Sequence, residues 1–288
     1  MISTDTKKFY DFYPEKIFKE RNMASHSSEN YLKYWKNRVD VAVDGTKVSN
    51  ISIQNDYIEL LDIRVGEKVL DLGCSYGRLC SVLKRKTDNV FGLDIDYCVI
   101  EQALKEPYVI TIKGQAEEMP FPSEFFDKVI AWGVYDMVEQ KKALCEANRI
   151  LKKGGQLLFT GKNTSYSKND RLAFIAERNA KLNNFPNHFT DLNLLFYQIE
   201  AFGFQVSQAF GFAKRGDFGE NKNIDIIIKQ PDAFYEYLVI LEKHSNDLDA
   251  KDINEFVFHE SYVAKSAAID AGHSNVIEYF KAHKKNFP

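Results

Sequence analysis

Two carboxylates, each at or near the end of a short apolar run, are the residues of this sequence best placed to do chemistry. Asp71 stands in the run VLDLGCSYG, which begins at Val69, and Asp94 closes the run VFGLD. They lie 94 − 71 = 23 residues apart, a spacing that fits one helix and one strand. Asp94 would then sit at the carboxyl end of the neighbouring strand, where a carboxylate can accept two hydrogen bonds from a ribose diol.

The segment after Asp71 predicts a tight turn that leads from a buried strand into a helix. Gly73 and Gly77 allow such a turn and let a ligand approach the backbone closely. Apolar residues recur at helical spacing from Leu79. Ser75 takes the middle place of a Gly-x-Gly-x-x-Gly pattern, and no Gly-Lys-Ser/Thr follows, so neither a dinucleotide nor a phosphate-cradling loop is indicated. An ordinary strand-to-helix turn is the plain alternative.

Three later segments complete an ordered set: KGQAEEMPF from Lys113, FDKVIAW from Phe126 and NRILKKGGQLLF from Asn148. Together with the two carboxylate segments, they resemble the class I S-adenosylmethionine-dependent methyltransferases. The likeness is closest to the small-molecule branch that includes the ubiquinone/menaquinone-type methyltransferases. It covers about residues 66–161 well and continues more loosely to about residue 243. The resemblance implies S-adenosyl-L-methionine as the cofactor.

The resemblance also assigns cofactor-binding residues, position by position. Asp71 and Gly73 match the positions that approach the methionine half, and Asp94 matches the one that holds the ribose hydroxyls. Gln115 and Ala116 match the adenine contact, although many relatives have Asp in place of Gln115. The other cofactor candidates are Gly77 in the turn, Ile95 over one adenine face, Trp132 facing the transferred methyl and Arg38 beside the cofactor carboxylate. For Ile95 a place in the core, and for Arg38 a solvated surface position, are the alternative interpretations.

Asp136 and His188 are the candidate catalytic residues. Asp136 follows the fourth strand, in a segment that faces the transferred methyl in the family and where many relatives carry His. A carboxylate there would accept the proton of a hydroxyl acceptor, bind an ammonium group or cap the next helix. His188 stands at the entry to a helix that relatives use to wall the acceptor pocket, as a second acid–base candidate or a structural residue. Three further residues are candidates for contacts to an anionic acceptor, with a solvated surface position as the alternative for the two arginines: Tyr166, Arg171 and Arg178.

Alternating strand and helix patterns from Lys68 onward predict an α/β fold with a Rossmann-like, doubly wound, mostly parallel sheet of seven strands. The strands are expected near 68–72, 90–94, 108–112, 127–132, 156–160, 204–210 and 235–241. We divide the chain into an N-terminal helical lid (1–50), a methyltransferase domain (51–245) with an insertion near the acceptor pocket (162–188), and a helical C-terminal extension (246–288). Aromatic residues of the lid would face the sulfonium or pack on the sheet: Tyr31, Tyr34 and Trp35.

Composition narrows the classes of partner. The 288 residues carry a net charge of 38 − 41 = −3 and no long Lys/Arg run, so a nucleic acid partner is not expected. None of the four cysteines forms a Cys-x-x-Cys motif and no His/Cys cluster has zinc spacing, so no metal is expected. We find no signal-peptide core and no membrane span, which favours a cytoplasmic protein without a membrane partner. The oligomeric state is left open, and a homodimer is compatible with the sequence.

We therefore predict an enzyme that transfers a methyl group from S-adenosyl-L-methionine to a small polar metabolite. The preferred acceptor is a hydroxyl of a sugar, nucleotide-sugar or similar compound. An N-methyltransferase acting on a small amine and a non-catalytic cofactor-binding scaffold protein are the alternatives. An RNA methyltransferase and a nicotinamide-dependent oxidoreductase are less favoured, because the chain has no clustered basic run and its glycine pattern is incomplete.

Overall fold

The computed structural model describes most of the chain between residues 51 and 248. The described residues are 51–75, 77–95, 109–167, 169–182, 186–220, 222–227, 233–246, 248 and 259–260. The predicted lid (1–50), which includes Arg38, lies outside them, as does most of the predicted C-terminal extension. Within these ranges no helix is both long and apolar enough to cross a membrane.

Strands and helices alternate through the first half of the described chain. Helix α1 (Ile51–Glu59) leads into β1 (Lys68–Leu72), α2 (Arg78–Leu83), β2 (Asn89–Asp94), β3 (Ile110–Lys113) and β4 (Phe126–Ala131). A short 3₁₀ helix (Tyr135–Met137) precedes α3 (Gln140–Ile150), which runs directly into the long strand β5 (Leu151–Asn163).

The second half adds an edge of mixed direction. It contains α4 (Arg171–Leu182), β6 (His188–Thr190), α5 (Leu192–Gln198), β7 (Phe204–Phe212), β8 (Ile224–Asp225), β9 (Glu236–Lys243) and β10 (His259–Glu260). Short 3₁₀ helices follow α5 (Ile199–Phe202) and β7 (Asp217–Glu220). Gly203, in the left-handed conformation with φ 72°, ends the first of these before β7 begins.

The strands form a single sheet in the order β3-β2-β1-β4-β5-β9-β7-β8. Strands β1 to β5 pair in parallel, whereas β9 is antiparallel to both β5 and β7. The predicted class, α/β with a doubly wound and mostly parallel sheet, is confirmed, and each of the seven predicted strands overlaps an observed one. The sheet has ten strands among the described residues, because β6, β8 and β10 are additional.

Strand β10 is also a correction to the predicted C-terminal extension. Residues 259–260 fall in the segment expected to be helical, but they pair antiparallel with Phe189 and His188 of β6. Two residues are too few for sequence periodicity to show a strand.

The two faces of the sheet bury separate cores. Side chains alternate along β1, so that Val69 packs with α1 and α2 on one face, whereas Leu70 and Leu72 pack with α3 and α5 on the other. Strands that are buried on both faces have continuous runs of apolar residues. This is why the segments VLDLG and VFGLD could be predicted as strands. The carboxyl ends of β1 to β5 remain at one edge, where the site lies.

Candidate functional site

The turn after β1 is tied to the end of β2. The Leu93 carbonyl accepts hydrogen bonds from the amides of Gly73 (2.7 Å) and Cys74 (3.0 Å). Asp94 Oδ2 accepts one from the Ser75 amide at 2.9 Å. Gly73 has φ 76°, and a Cβ at this position would collide with Val134 Cγ2, so the turn requires glycine for both backbone conformation and space. The predicted turn and the predicted ribose carboxylate therefore lie side by side.

Asp71 is buried beneath this turn. Its side chain is 2 % exposed, and its Oδ2 accepts a hydrogen bond from the Cys80 thiol of α2 at 3.2 Å. Burial raises the pKa of Asp71 to about 7; the Cys80 hydrogen bond lowers it and the charge of Asp94 raises it further. Asp71 thus joins β1 to α2, and Gly77, with φ 72°, begins that helix.

The loop after β3 meets the same edge. Asp94 of β2 lies opposite Lys113 of β3 in the parallel backbone pairing. The Gly114 amide donates to the Asp94 carbonyl at 2.9 Å. Gln115 and Ala116 follow immediately, and Ala116 is buried. The residues predicted to hold the ribose and the adenine are therefore adjacent in the fold. Their contacts with a cofactor stay predictions.

The segment after β4 passes in front of the turn. The Gly133 amide donates to Thr160 Oγ1 at 2.8 Å, and Val134 lies over Gly73. Trp132 packs edge-on against Phe218 with ring centroids 5.1 Å apart. Both side chains pack against the core on one face of the sheet. Ile95 is half-buried. The predicted cofactor contacts of Trp132 and Ile95 are not tested by these positions.

Asp136 is buried in the 3₁₀ helix that follows. Its Oδ2 forms an ion pair with Lys162 Nζ at 2.7 Å, and Lys162 also donates to Asn187 Oδ1. The alternative role of Asp136 as the cap of α3 is excluded, because Glu139 is the capping residue and accepts from the Lys142 amide. Asp136 is therefore a carboxylate fixed in place by a charge-assisted hydrogen bond.

A chain of buried hydrogen bonds holds the segment that carries Asp136. The Tyr237 hydroxyl donates to Thr190 Oγ1 at 2.7 Å, and Thr190 Oγ1 donates to Gln140 Oε1 at 3.1 Å. Gln140 Nε2 then donates to the Tyr135 carbonyl at 3.0 Å. Strands β6 and β9 and helix α3 therefore all fix the 3₁₀ helix.

His188 lies in the same region as Asp136. It is the first residue of β6 and is partly buried. It follows Asn187, whose side chain contacts Lys162, the partner of Asp136. The chain neighbour of His188 therefore contacts the lysine that pairs with Asp136. The catalytic roles of Asp136 and His188 stay predictions.

A group of charged and polar residues surrounds Lys162 and forms what we call the acceptor-side cluster. Its members are Asp136, Lys162, Asp170, Glu177, Asn187, Arg215 and Glu236. Burial raises the pKa of Glu177 well above its usual range, while the Tyr166 hydroxyl, Lys162 and Arg215 lower it. Burial also raises the pKa of Glu236, against the lowering effect of Arg215 and Lys162.

Sequence reasoning missed most of this cluster. It named Tyr166, Arg171 and Arg178 as candidate contacts for an anion, with a solvated position as the alternative for the arginines. Arg171 is exposed, and Tyr166 is buried beside Glu177. One signal was available: Glu177 follows Ala173 and Phe174 at helical spacing, so it is a carboxylate on the apolar face of α4. The pairing of Lys162 with Asp136 joins two elements and leaves no local pattern.

The segment that carries the turn after β1 and the ends of β2, β3 and β4 is similar in sequence to known methyltransferases. A family model described as a methyltransferase domain matches residues 70–159. An uncharacterized protein of Methanocaldococcus jannaschii, MJ1252, is 35% identical over 103 residues, which are 35% of this chain and 39% of that protein. The ubiquinone/menaquinone biosynthesis C-methyltransferase UbiE of Psychromonas ingrahamii is 33% identical over 112 residues, 35% of this chain and 45% of that enzyme.

The fold is shared with solved structures over a longer stretch. The YcgJ protein of Bacillus subtilis superposes with a TM-score of 0.52 at 17% sequence identity, covering 68% of this chain and all of that one. At such low identity the likeness concerns the fold alone. The chain spans less than half the length of MJ1252 and of the Psychromonas ingrahamii enzyme.

Proposed function

We propose that the protein transfers a methyl group from S-adenosyl-L-methionine to a small polar metabolite, a proposal supported by the match of residues 70–159 to a family model described as a methyltransferase domain. The observation that carries the proposal is the hydrogen bond from the Ser75 amide to Asp94. It holds a carboxylate at the carboxyl end of β2, directly beside a glycine turn, which is the arrangement a ribose and its attached chain require.

The residues at this edge fit the cofactor chemically. Asp94 would accept hydrogen bonds from the ribose hydroxyls, and Gln115 with Ala116 would contact the adenine. Gly73 keeps the backbone free of a side chain where the methionine half would pass, and Asp71 would fix the turn through Cys80. When bound, S-adenosyl-L-methionine supplies a methyl group activated by a sulfonium.

The protein's remaining tasks are to align the acceptor and to exclude water. Asp136 would receive the proton of the acceptor, with Lys162 and Asn187 holding its carboxylate in one orientation. His188 is the second residue proposed for this role.

The acceptor we propose is a hydroxyl of a sugar, nucleotide-sugar or similar compound, and a small amine is the second candidate. The matched residues 70–159 end before Lys162 and Glu177. The relative named as a C-methyltransferase therefore does not determine the acceptor of this chain. Among the described residues, the acceptor-side cluster has more carboxylates than cations, which supports an acceptor that carries an amine.

Replacing Asp94 tests the cofactor site. Asp94→Ala removes hydrogen bonds to a charged group, worth about 1.5–3 kcal/mol each, so calorimetric titration with S-adenosylhomocysteine should show at least tenfold weaker binding. Asp88→Ala, at an exposed carboxylate just before β2, is the matched control and should bind as the wild type does. Unchanged affinity in a folded Asp94→Ala protein would contradict the assignment.

A further inference from the structure

The loop between β3 and β4 carries Gln115 and Ala116, the two residues proposed to contact the adenine. The structure describes all of its residues, 114–125, and they contain no helix or strand. The backbone closes into one turn, where the Glu118 amide donates to the Gln115 carbonyl at 3.3 Å. Because no regular element fixes this loop, its position depends on contacts from neighbouring elements.

Arg149, in the last turn of α3, binds the backbone of this loop. Its Nη2 donates to the Met119 carbonyl at 2.8 Å and its Nη1 to the Phe121 carbonyl at 2.7 Å. Its Nε and Nη2 also donate to the two carboxylate oxygens of Glu146, both at 2.8 Å, which fixes the plane of the guanidinium. Glu146 Oε2 accepts from the Met119 amide at 2.7 Å. One ion pair of α3 therefore holds both backbone polar groups of Met119.

The contacts of this ion pair indicate a role in placing the loop. A Glu–Arg pair three residues apart on a helix contributes little to stability when it is partly exposed, and these two side chains are 18 % and 34 % exposed. Here Arg149 and Glu146 also bond to main-chain atoms about 30 residues away along the chain. Such bonds fix the course of the backbone whatever side chains the loop carries.

The predicted adenine residues lie between two such anchors. On one side, the Gly114 amide donates to the Asp94 carbonyl of β2 at 2.9 Å. On the other side, Met119 is held by α3, only three residues after buried Ala116. A shift of Met119 would therefore be passed to Ala116 and Gln115 through a very short length of chain.

We propose that Arg149 and Glu146 are positioning residues for the adenine of the cofactor, an inference that rests on the proposed methyltransferase function. They act through the loop, by holding it where the Gln115 side chain and the Ala116 amide meet the base. The ribose and the methionine half meet other elements, namely Asp94 and the turn after β1. Loss of the ion pair therefore weakens the adenine contribution to binding and spares that of the rest of the cofactor.

Three ligands separate the adenine from the rest of the cofactor. S-adenosylhomocysteine is the whole molecule, adenosine keeps the adenine, and S-ribosylhomocysteine lacks it. Ligand-observed NMR and calorimetry measure the affinity of the full chain for each. Arg149→Lys keeps the positive charge but loses the planar fork of donors. Its affinities for S-adenosylhomocysteine and adenosine should both fall about fivefold or more, and that for S-ribosylhomocysteine should change less than about twofold.

A second ion pair in the same domain offers a matched control. Lys152 pairs with Asp127 at 2.6 Å, near the starts of β5 and β4. Lys152→Gln breaks this pair and should leave the affinities for all three ligands unchanged. Should Arg149→Lys not fold, Glu146→Gln removes the charge of the partner carboxylate. It should show the same order of losses, with adenosine bound at least about threefold more weakly.

The outcomes separate this inference from the proposed function. An equal loss for all three ligands, an unchanged affinity for adenosine, or the same losses in Lys152→Gln would each overturn it. A lower melting temperature of Arg149→Lys with unchanged affinities would show that the ion pair only supports the fold, and would overturn it as well. If S-adenosylhomocysteine does not bind the wild type, the proposed function is wrong and the inference falls with it.

Discussion

Asp71, buried beneath the turn after β1, should make the stability of the protein depend on pH. Its pKa is raised by burial to about 7, above the value of about 3.9 for an unfolded aspartate. Between these two values the folded protein holds a proton that the unfolded chain has released. The contribution of Asp71 to the free energy of unfolding therefore decreases as the pH rises from about 4 to about 7, and it is constant above that.

Asp71→Asn should remove this contribution. Urea unfolding at pH 5 and pH 8 should show that the wild type loses more stability between the two pH values than the variant does, because an amide does not titrate. Asp88→Asn, at an exposed position, is the control and should follow the wild type. If Asp71→Asn and the wild type lose stability equally, Asp71 does not titrate in this range.

Asp136 is the residue on which catalysis is proposed to depend. If it accepts the proton of the acceptor, Asp136→Asn should reduce turnover about 10²–10⁴-fold, with little change in the affinity for S-adenosylhomocysteine. Transfer of a labelled methyl group from the cofactor to the best acceptor in a panel of sugars, amino sugars and small amines measures turnover, and calorimetry measures the affinity. A variant that keeps most of its turnover would move the role to His188 or leave positioning as the main source of catalysis.

The sequence revealed the residues whose roles follow from their place after a strand. Asp71, Asp94 and Asp136 each follow or close an apolar run, so their approach to one sheet edge could be predicted. Lys162 and Glu177 could not, because their importance depends on neighbours from other elements that share no local pattern with them.

The turn between β1 and α2 offers a test with a matched control. Gly73 and Gly154 have nearly the same backbone angle, φ 76° and 77°, but a Cβ at Gly154 would meet no atom within 4 Å. Gly154→Ala should cost only the left-handed strain, about 1–2 kcal/mol of unfolding free energy. Gly73→Ala adds an overlap with Val134 worth about 1–3 kcal/mol more.

Urea unfolding of both variants measures the difference. Val134→Ala in the Gly73→Ala background should recover part of the added loss, because it removes the atom that the new Cβ meets. Equal losses at the two glycines would show that the close approach to Val134 does not constrain the turn.

Strands with a full run of apolar residues could be predicted from the sequence. Very short strands, and the start of a strand that follows a helix without a loop, could not. Strands β6, β8 and β10 have three, two and two residues, too few for a period to appear. Strand β5 begins at Leu151, five residues before its predicted start near 156, because α3 passes into it without a loop. Buried Lys243 closes this junction, donating to the carbonyls of Asn148 and Leu151 at 2.7 and 2.6 Å.

At the scale of the whole molecule, the family model matches the residues proposed to bind the cofactor but only part of those proposed to lie near the acceptor. The matched domain spans residues 70–159 and includes every strand end proposed to bind the cofactor. Of the acceptor-side cluster, Asp136 lies inside this domain, whereas Lys162, Glu177 and Asn187 come after it. The family likeness therefore supports the cofactor, whereas the acceptor has to be argued from this chain's own contacts.

The most direct test of the account is whether the full chain binds S-adenosylhomocysteine in preference to a dinucleotide. A dinucleotide needs backbone amides around its pyrophosphate, but the amides of Gly73, Cys74 and Ser75 are already bonded to Leu93 and Asp94. In a thermal-shift comparison at equal concentrations, S-adenosylhomocysteine should raise the melting temperature and NAD should leave it unchanged. Stabilisation by NAD alone would contradict the central claim.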